Sequence, residues 1–160
     1  RMPLLSGNKT YALGILDSKN IQYDVREYDA AVTDGCSVAQ MLNQPVNLVF
    51  KTLVTQTDTL EYLVFMVPVD KNLNLKKAAK ESGVKSVAMI KQKQLLPLTG
   101  YIHGGCCPVG MKKQFRTFID ISAKTLDRFF ISAGKVGMQM CVSPADIAAV
   151  TGAAFVPLAD

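Results

Sequence analysis

The chain has 160 residues, 49% of them hydrophobic, which is enough for one well-buried core and short for two. Its longest apolar run, Tyr62 to Val69, is far too short to cross a bilayer and carries Pro68, so no membrane partner and a cytoplasmic location are expected. The four cysteines contain no Cys-x-x-Cys pair, which excludes a disulfide-stapled secreted scaffold, and the net charge of +5 favours an anionic partner. Nothing after Arg1 and Met2 has the order of a signal peptide, and one domain over residues 2–160 is expected.

Taken in order, the first element is a helix capped by Asn8, with Ala12, Leu13, Ile15 and Leu16 as its apolar stripe. Ile21, Tyr23 and Val25 alternate with Gln22, Asp24 and Arg26, the period of a half-buried strand. Tyr28 sits at its exit. Ser37 caps a short helix through Leu42, and Pro45 opens another brief helical segment. The apolar runs Val49 to Thr55 and Leu60 to Val69, separated by four polar residues, form a hairpin. Its second strand is apolar on both faces and should be central.

Asn74 opens a helix that Gly83 stops, with lysines on its outer side. Ser86 to Ile90 reads as a strand and Lys91 to Leu96 as a short helix. Strands follow at Thr117 to Ile121 and Phe129 to Ser132, around a short helix from Ala123. Ser132 to Lys135 reads as a tight turn feeding the strand Gly137 to Val142. Ser143 and Pro144 open the last helix, and Ala153 to Val156 closes the chain as a strand. Helices and strands interleave, but hairpins break strict alternation, which predicts a mixed α/β fold.

Three features point to a ligand. The stretch from Gly100 to Lys113 holds four glycines and Pro108 and is neither helix nor strand, so its N–H groups can face a carbonyl oxygen or a phosphate. An ordinary glycine-rich connection has the same composition. Lys51 lies between Val49 and Leu53 on a strand face that otherwise reads as core; an ammonium there needs a wet cavity or an anion, unless it is an edge-strand guard against aggregation. From Lys71 to Arg116 there are ten Lys or Arg residues and one acid, Glu81, a positive face suited to RNA or a lysine-rich solvated surface.

Other chemistries fit less well. No Walker or Gly-x-Gly-x-x-Gly pattern is present, and no Gly-x-Ser-x-Gly elbow accompanies the one histidine, His103. His103 with Cys106 and Cys107 lacks the usual metal-ligand spacing and a fourth ligand, so no metal and no cofactor are expected. A Cys-His hydrolase would need His103 to fold back on a loop thiol. An ester already activated by attachment to tRNA can instead be cleaved by positioning and oxyanion stabilisation alone.

Val49-Phe-Lys-Thr-Leu53, Thr99-Gly-Tyr101, Gly104-Gly-x-x-Pro-x-Gly110 with Lys112 and Lys113, Ile119-Asp120, and Ile131-Ser-Ala-Gly-Lys135 together resemble the ordered landmarks of the YbaK family. That family is related to the editing domain inserted in bacterial prolyl-tRNA synthetases. The resemblance implies a single compact domain around a mixed, barrel-like sheet surrounded by helices, and a trans-editing hydrolase that deacylates Cys-tRNA(Pro), with Cys-tRNA(Cys) as a further substrate. It implies Lys51 as the essential catalytic residue. Tyr28, Gly104, Gly105, Cys107, Pro108, Ser132, Gly134 and Gln139 are then the substrate-binding set, and Lys112, Lys113 and Lys135 contact nucleic acid. The implied partners are mischarged tRNA(Pro) and prolyl-tRNA synthetase. Cys107 stands where the family usually has serine, Val136 where arginine is common, and Gln139 where some members carry aspartate. A deacylase for alanine or another small amino acid, and a non-catalytic module binding tRNA or a synthetase, are the competing expectations.

Overall fold

A computed structural model describes residues 9–160. Its first helix, α1 (Tyr11–Ser18), is capped by Thr10, whose hydroxyl oxygen accepts from the Leu13 N–H at 3.2 Å. The expected cap, Asn8, lies outside the described residues. Thr10 also donates its hydroxyl to the Ala133 carbonyl, so one side chain starts the helix and ties it to a strand far along the chain.

That strand belongs to a three-stranded antiparallel sheet, in the order β1 (Tyr23–Glu27), β7 (Met138–Val142), β6 (Phe129–Lys135). β1 is an edge strand, and its predicted apolar face is only partly covered, with Val25 37% exposed. The turn expected at Ser132 to Lys135 is instead the end of β6, which carries a register shift between those two residues. The chain reverses at Val136 and Gly137. Gly134 (φ 100°) absorbs the bulge, and Gly137 (φ 85°) makes the turn, where a Cβ would meet the Tyr28 carbonyl oxygen at 3.0 Å.

A five-stranded mixed sheet runs β4 (Val87–Met89), β2 (Phe50–Thr57), β3 (Tyr62–Pro68), β5 (Arg116–Asp120), β8 (Ala154–Val156). β2 and β3 form the predicted hairpin, and β3 to β5 and β5 to β8 are parallel. β3 is central, and Leu63 to Val67 are all fully buried because alternate residues serve different cores. Val64 and Met66 face the main core, shared with α1, β6, β7 and α5 (Pro144–Thr151), while Leu63, Phe65 and Val67 pack under α3 (Leu75–Ser82). Each such side chain contributes about 1.5–3 kcal/mol of burial.

The two sheets meet at one parallel bridge, Val49 to Phe130, and do not close into a barrel. Over this seam lies α2 (Gly35–Met41), which helps to bury a small third cluster of Ala39, Val49, Phe130 and Cys141. Its cap is Asp34 rather than Ser37. The carboxylate accepts both the Ser37 N–H and the Ser37 hydroxyl at 3.0 Å, since an acceptor at the position before the helix reaches the free N–H groups that a residue inside the first turn cannot. Among the described residues, no helix is long and apolar enough to cross a membrane.

Candidate active site

At the seam between the sheets a cleft of about 340 Å³ opens. The start of β2 supplies one wall through Phe50, Lys51 and Thr52. Lys51 is half-buried opposite Val67 and, among the described residues, forms no ion pair. β4 pairs with β2 only at Thr55 to Thr57, so Lys51 lies beyond the stretch that β4 covers, two residues from the Val49 bridge to the smaller sheet.

The facing wall comes from the smaller sheet. Ser132 on β6 and Gln139 on β7 are directly paired in register, and both line the cleft with Tyr28, whose N–H donates to the Gly137 carbonyl. Ser132 is buried, and its Oγ accepts the Gly134 N–H at 3.1 Å, a contact that the bulge makes possible.

The glycine-rich loop forms the third side, through His103, Gly104 and Cys106. It starts where α4 (Leu95–Thr99) ends, and Leu95 lines the cleft as well. The Tyr101 hydroxyl donates to the Val109 carbonyl at 2.6 Å and closes the loop on itself. Gly105 packs against the β6–β7 turn so tightly that a Cβ would lie 2.9 Å from the Val136 nitrogen. The rim is completed by Asp34, Gly35 and Val38 of the α2 N-terminus.

Of the residues singled out in the sequence, Lys51, Tyr28, Gly104, Ser132 and Gln139 line this one cleft. Gly105, Cys107, Pro108 and Gly134 do not. Cys107 is fully buried in the main core, Gly105 and Pro108 are buried outside the lining, and Gly134 sits in the β6 bulge, its N–H on the Ser132 Oγ. Lys112, Lys113 and Lys135 are exposed outside it, with the Lys112 ammonium donating to the Pro97 carbonyl at 3.1 Å. The sequence reading left Asp34 and Thr52 unmarked, and it weighed Cys106 as a metal ligand or nucleophile but not as part of the substrate-binding set. Thr52 is the neighbour of the conspicuous lysine, but nothing in its surroundings marked it.

The thiols are poor nucleophiles here. Burial pushes Cys106 up to about 12, and it pushes Cys107 up as well, so neither is a thiolate near neutral pH. Among the described residues, no group of three His, Cys, Asp or Glu side chains could hold a metal ion. Two buried side-chain polar atoms among the described residues lack any hydrogen-bond partner: Thr52 Oγ1 and Gln139 Oε1. Both residues line the cleft. Buried polar atoms are normally paired, so orphans on two residues that line one cavity from facing sides are what a polar ligand would satisfy.

A broader depression of about 710 Å³ runs along α1 and β1. Three of its polar side chains are engaged with one another: Lys9 pairs with Asp17, which also accepts the Tyr23 hydroxyl at 2.8 Å. Among the described residues, none of its side chains has a buried polar atom without a partner, whereas the seam cleft has two, and the seam cleft is therefore the candidate site.

Residues 31–150 match the family described as "Aminoacyl-tRNA editing domain". The chain is 39% identical over 151 residues to EbsC of Enterococcus faecalis, whose name describes a candidate Cys-tRNA(Pro)/Cys-tRNA(Cys) deacylase, covering 92% of this chain and 91% of that protein. Among solved structures it is similar to a candidate trans-editing enzyme for prolyl-tRNA synthetase, with a TM-score of 0.80, 23% identity, and coverage of 92% and 93%. It is also similar to the hypothetical protein APE2540, with a TM-score of 0.85, 18% identity, and coverage of 92% and 98%. At these identities the two structures bear on the fold alone.

Proposed function

The chain belongs to the aminoacyl-tRNA editing domain family, and we propose that it clears cysteine from mischarged tRNA(Pro), with Cys-tRNA(Cys) as a second substrate. An editing deacylase breaks the ester between an amino acid and the terminal ribose of tRNA. The observation that carries the cysteine reading is a lysine with no ion pair among the described residues, in a cleft whose own thiol is held protonated. Such a site can polarise an ester but brings no activated cysteine nucleophile of its own.

The substrate supplies one. A free cysteine thiol, with a pKa of about 8.5, is a few per cent thiolate at neutral pH. Held against its own ester carbonyl, that sulfur forms a C–S bond while the ester C–O bond breaks, and the ribose oxygen takes up the proton that the thiol gave. The products are a cyclic thioester and free tRNA. Water then opens the thioester. In this scheme Lys51 stabilises the negative charge that develops on the carbonyl oxygen, and the Gly104 loop borders the same cleft from another side. Fit alone separates amino acids differing by one small group by about 1–3 kcal/mol, whereas alanine and proline lack the attacking sulfur altogether.

Prolyl-tRNA synthetase, as the source of mischarged tRNA(Pro), is the proposed partner. The experiment is to incubate purified protein with Cys-tRNA(Pro) and Ala-tRNA(Pro). Rapid loss of cysteine alone is expected. Equal loss of alanine would move the reading to a pocket that selects small size, and no loss from either would remove deacylation altogether.

A further inference from the structure

Two opposite charges line the seam cleft without meeting. Among the described residues Lys51 makes no ion pair, and Asp34 is the one carboxylate that lines the cleft. Asp34 uses Oδ2 for the Ser37 N–H and hydroxyl, which leaves Oδ1 unengaged at the exposed rim. Gln139, 6% exposed, lines the same cavity with its Oε1 unpartnered. An amide oxygen only accepts, so whatever satisfies it must donate.

An aminoacyl ester has the complementary arrangement. Its carbonyl and ester oxygens are acceptors and cannot serve Gln139 Oε1, but its α-amino group takes up a proton near neutral pH and then offers three N–H donors and a positive charge. The amine and the carbonyl stand on adjacent carbons, so a substrate whose carbonyl oxygen faces Lys51 brings its ammonium into the cavity that Asp34 and Gln139 also line.

We propose that Asp34 and Gln139 Oε1 together receive the α-ammonium of the substrate, so that the cleft accepts tRNA carrying a free amino acid and rejects tRNA whose amino acid is N-acylated, as in peptidyl-tRNA. Acylation converts the ammonium into a neutral amide with one N–H and added bulk, removing the charge that Asp34 would meet. The consequence is selectivity: freshly mischarged tRNA is cleared, and a growing chain is spared. This inference rests on the ester-cleaving reading of the cleft and adds the group by which the substrate is recognised.

The test uses 3′-cysteinylamido-3′-deoxyadenosine, which has an amide in place of the ester, with its amine either free or acetylated. Binding is measured by NMR titration of the full chain, beside cleavage of Cys-tRNA(Pro) and N-acetyl-Cys-tRNA(Pro). The free amine should bind about 10- to 100-fold more tightly than the acetylated form, the range of a hydrogen bond to a charged group. Asp34→Asn keeps the helix cap, because Asn caps as well as Asp, and should erase most of that preference. Gln139→Met should leave Tm unchanged or higher, since an orphaned acceptor is removed, while weakening the free-amine analogue selectively.

Equal binding of the two analogues, no binding of either, or a preference untouched in both variants would overturn the proposal. Amine-dependent binding without cleavage of Cys-tRNA(Pro) would support it and sink the ester-cleaving reading instead. Cleavage of both tRNA substrates at one rate would do the reverse.

Discussion

Lys51 concentrates the chemistry of the proposed site in one side chain. It is half-buried, lacks a counter-ion among the described residues, and lines the same cavity as the two residues with orphaned polar atoms. Replacing Lys51 by Ala should lower kcat by about 10²- to 10³-fold, the effect of removing one oxyanion-stabilising donor. Circular dichroism should show the fold unchanged, because no ion pair is broken. Lys51 was visible in the sequence because a charge interrupting an apolar alternation demands an explanation. Asp34 was not, because Ser37 offered an equally good cap three residues later, and only the backbone shows which one precedes the helix. Cys106 and Cys107 illustrate a similar limit: in an irregular loop there is no period to say which of two neighbours faces the cleft, and the inner one is Cys107.

At the level of elements, the loop from Gly100 to Lys113 depends on its contact with the β6–β7 turn. Gly105→Ala would place a methyl group 2.9 Å from the Val136 nitrogen and 3.2 Å from the Lys135 carbonyl carbon, and backbone yields less readily than a side-chain tip. The expected cost is about 1–3 kcal/mol, read as a lower Tm, with turnover falling further because Gly104 moves with the loop. Asp120 has a different task. Its Oδ1 accepts the Leu158 and Ala159 N–H groups, each at 2.9 Å, and its Oδ2 accepts that of Ser122 at 3.1 Å, clasping the chain end beside β5. Burial alone would raise its pKa, but these hydrogen bonds outweigh burial and hold it below the usual carboxylate range. Its stabilising effect is therefore fully present above the unfolded value of about 3.9 and fades as pH falls through the lower folded value. Asp120→Asn should lower Tm at pH 7, and the gap to the parent protein should narrow in acid, as thermal melts across pH 2–7 would record. Elements such as α3 were legible because Asn74 and Gly83 punctuate it locally. The extension of β6 to Lys135 was not, because a bulged strand and a tight turn draw on the same small residues.

For the molecule as a whole, the proposed function makes charge the means by which tRNA arrives. Within the lysine-rich stretch, Arg116 is matched by Glu61 and Lys77 by Asp160, while Lys76, Lys80, Lys85, Lys91, Lys93 and Lys113 are exposed with no ion pair among the described residues. Lys91 and Lys93 immediately precede α4, whose Leu95 lines the cleft, so the positive surface reaches the reactive centre. Affinity for tRNA should weaken with salt at a slope of about 2 to 4 on a log–log plot, and Lys91→Glu with Lys93→Glu should flatten it; filter binding between 50 and 200 mM salt measures both. The mixed α/β class was readable from periodicity, but the division into two sheets was not, since the Val49–Phe130 bridge joins residues far apart in the chain. That bridge has an effect at a distance. The cleft draws one wall from each sheet, so its width is set by the spacing of two main chains and by the handful of side chains wedged beneath α2. A change of volume at Ala39 or Cys141, neither of which lines the cavity, would widen or narrow the gap that a substrate must bridge and so alter turnover without removing any group that touches it.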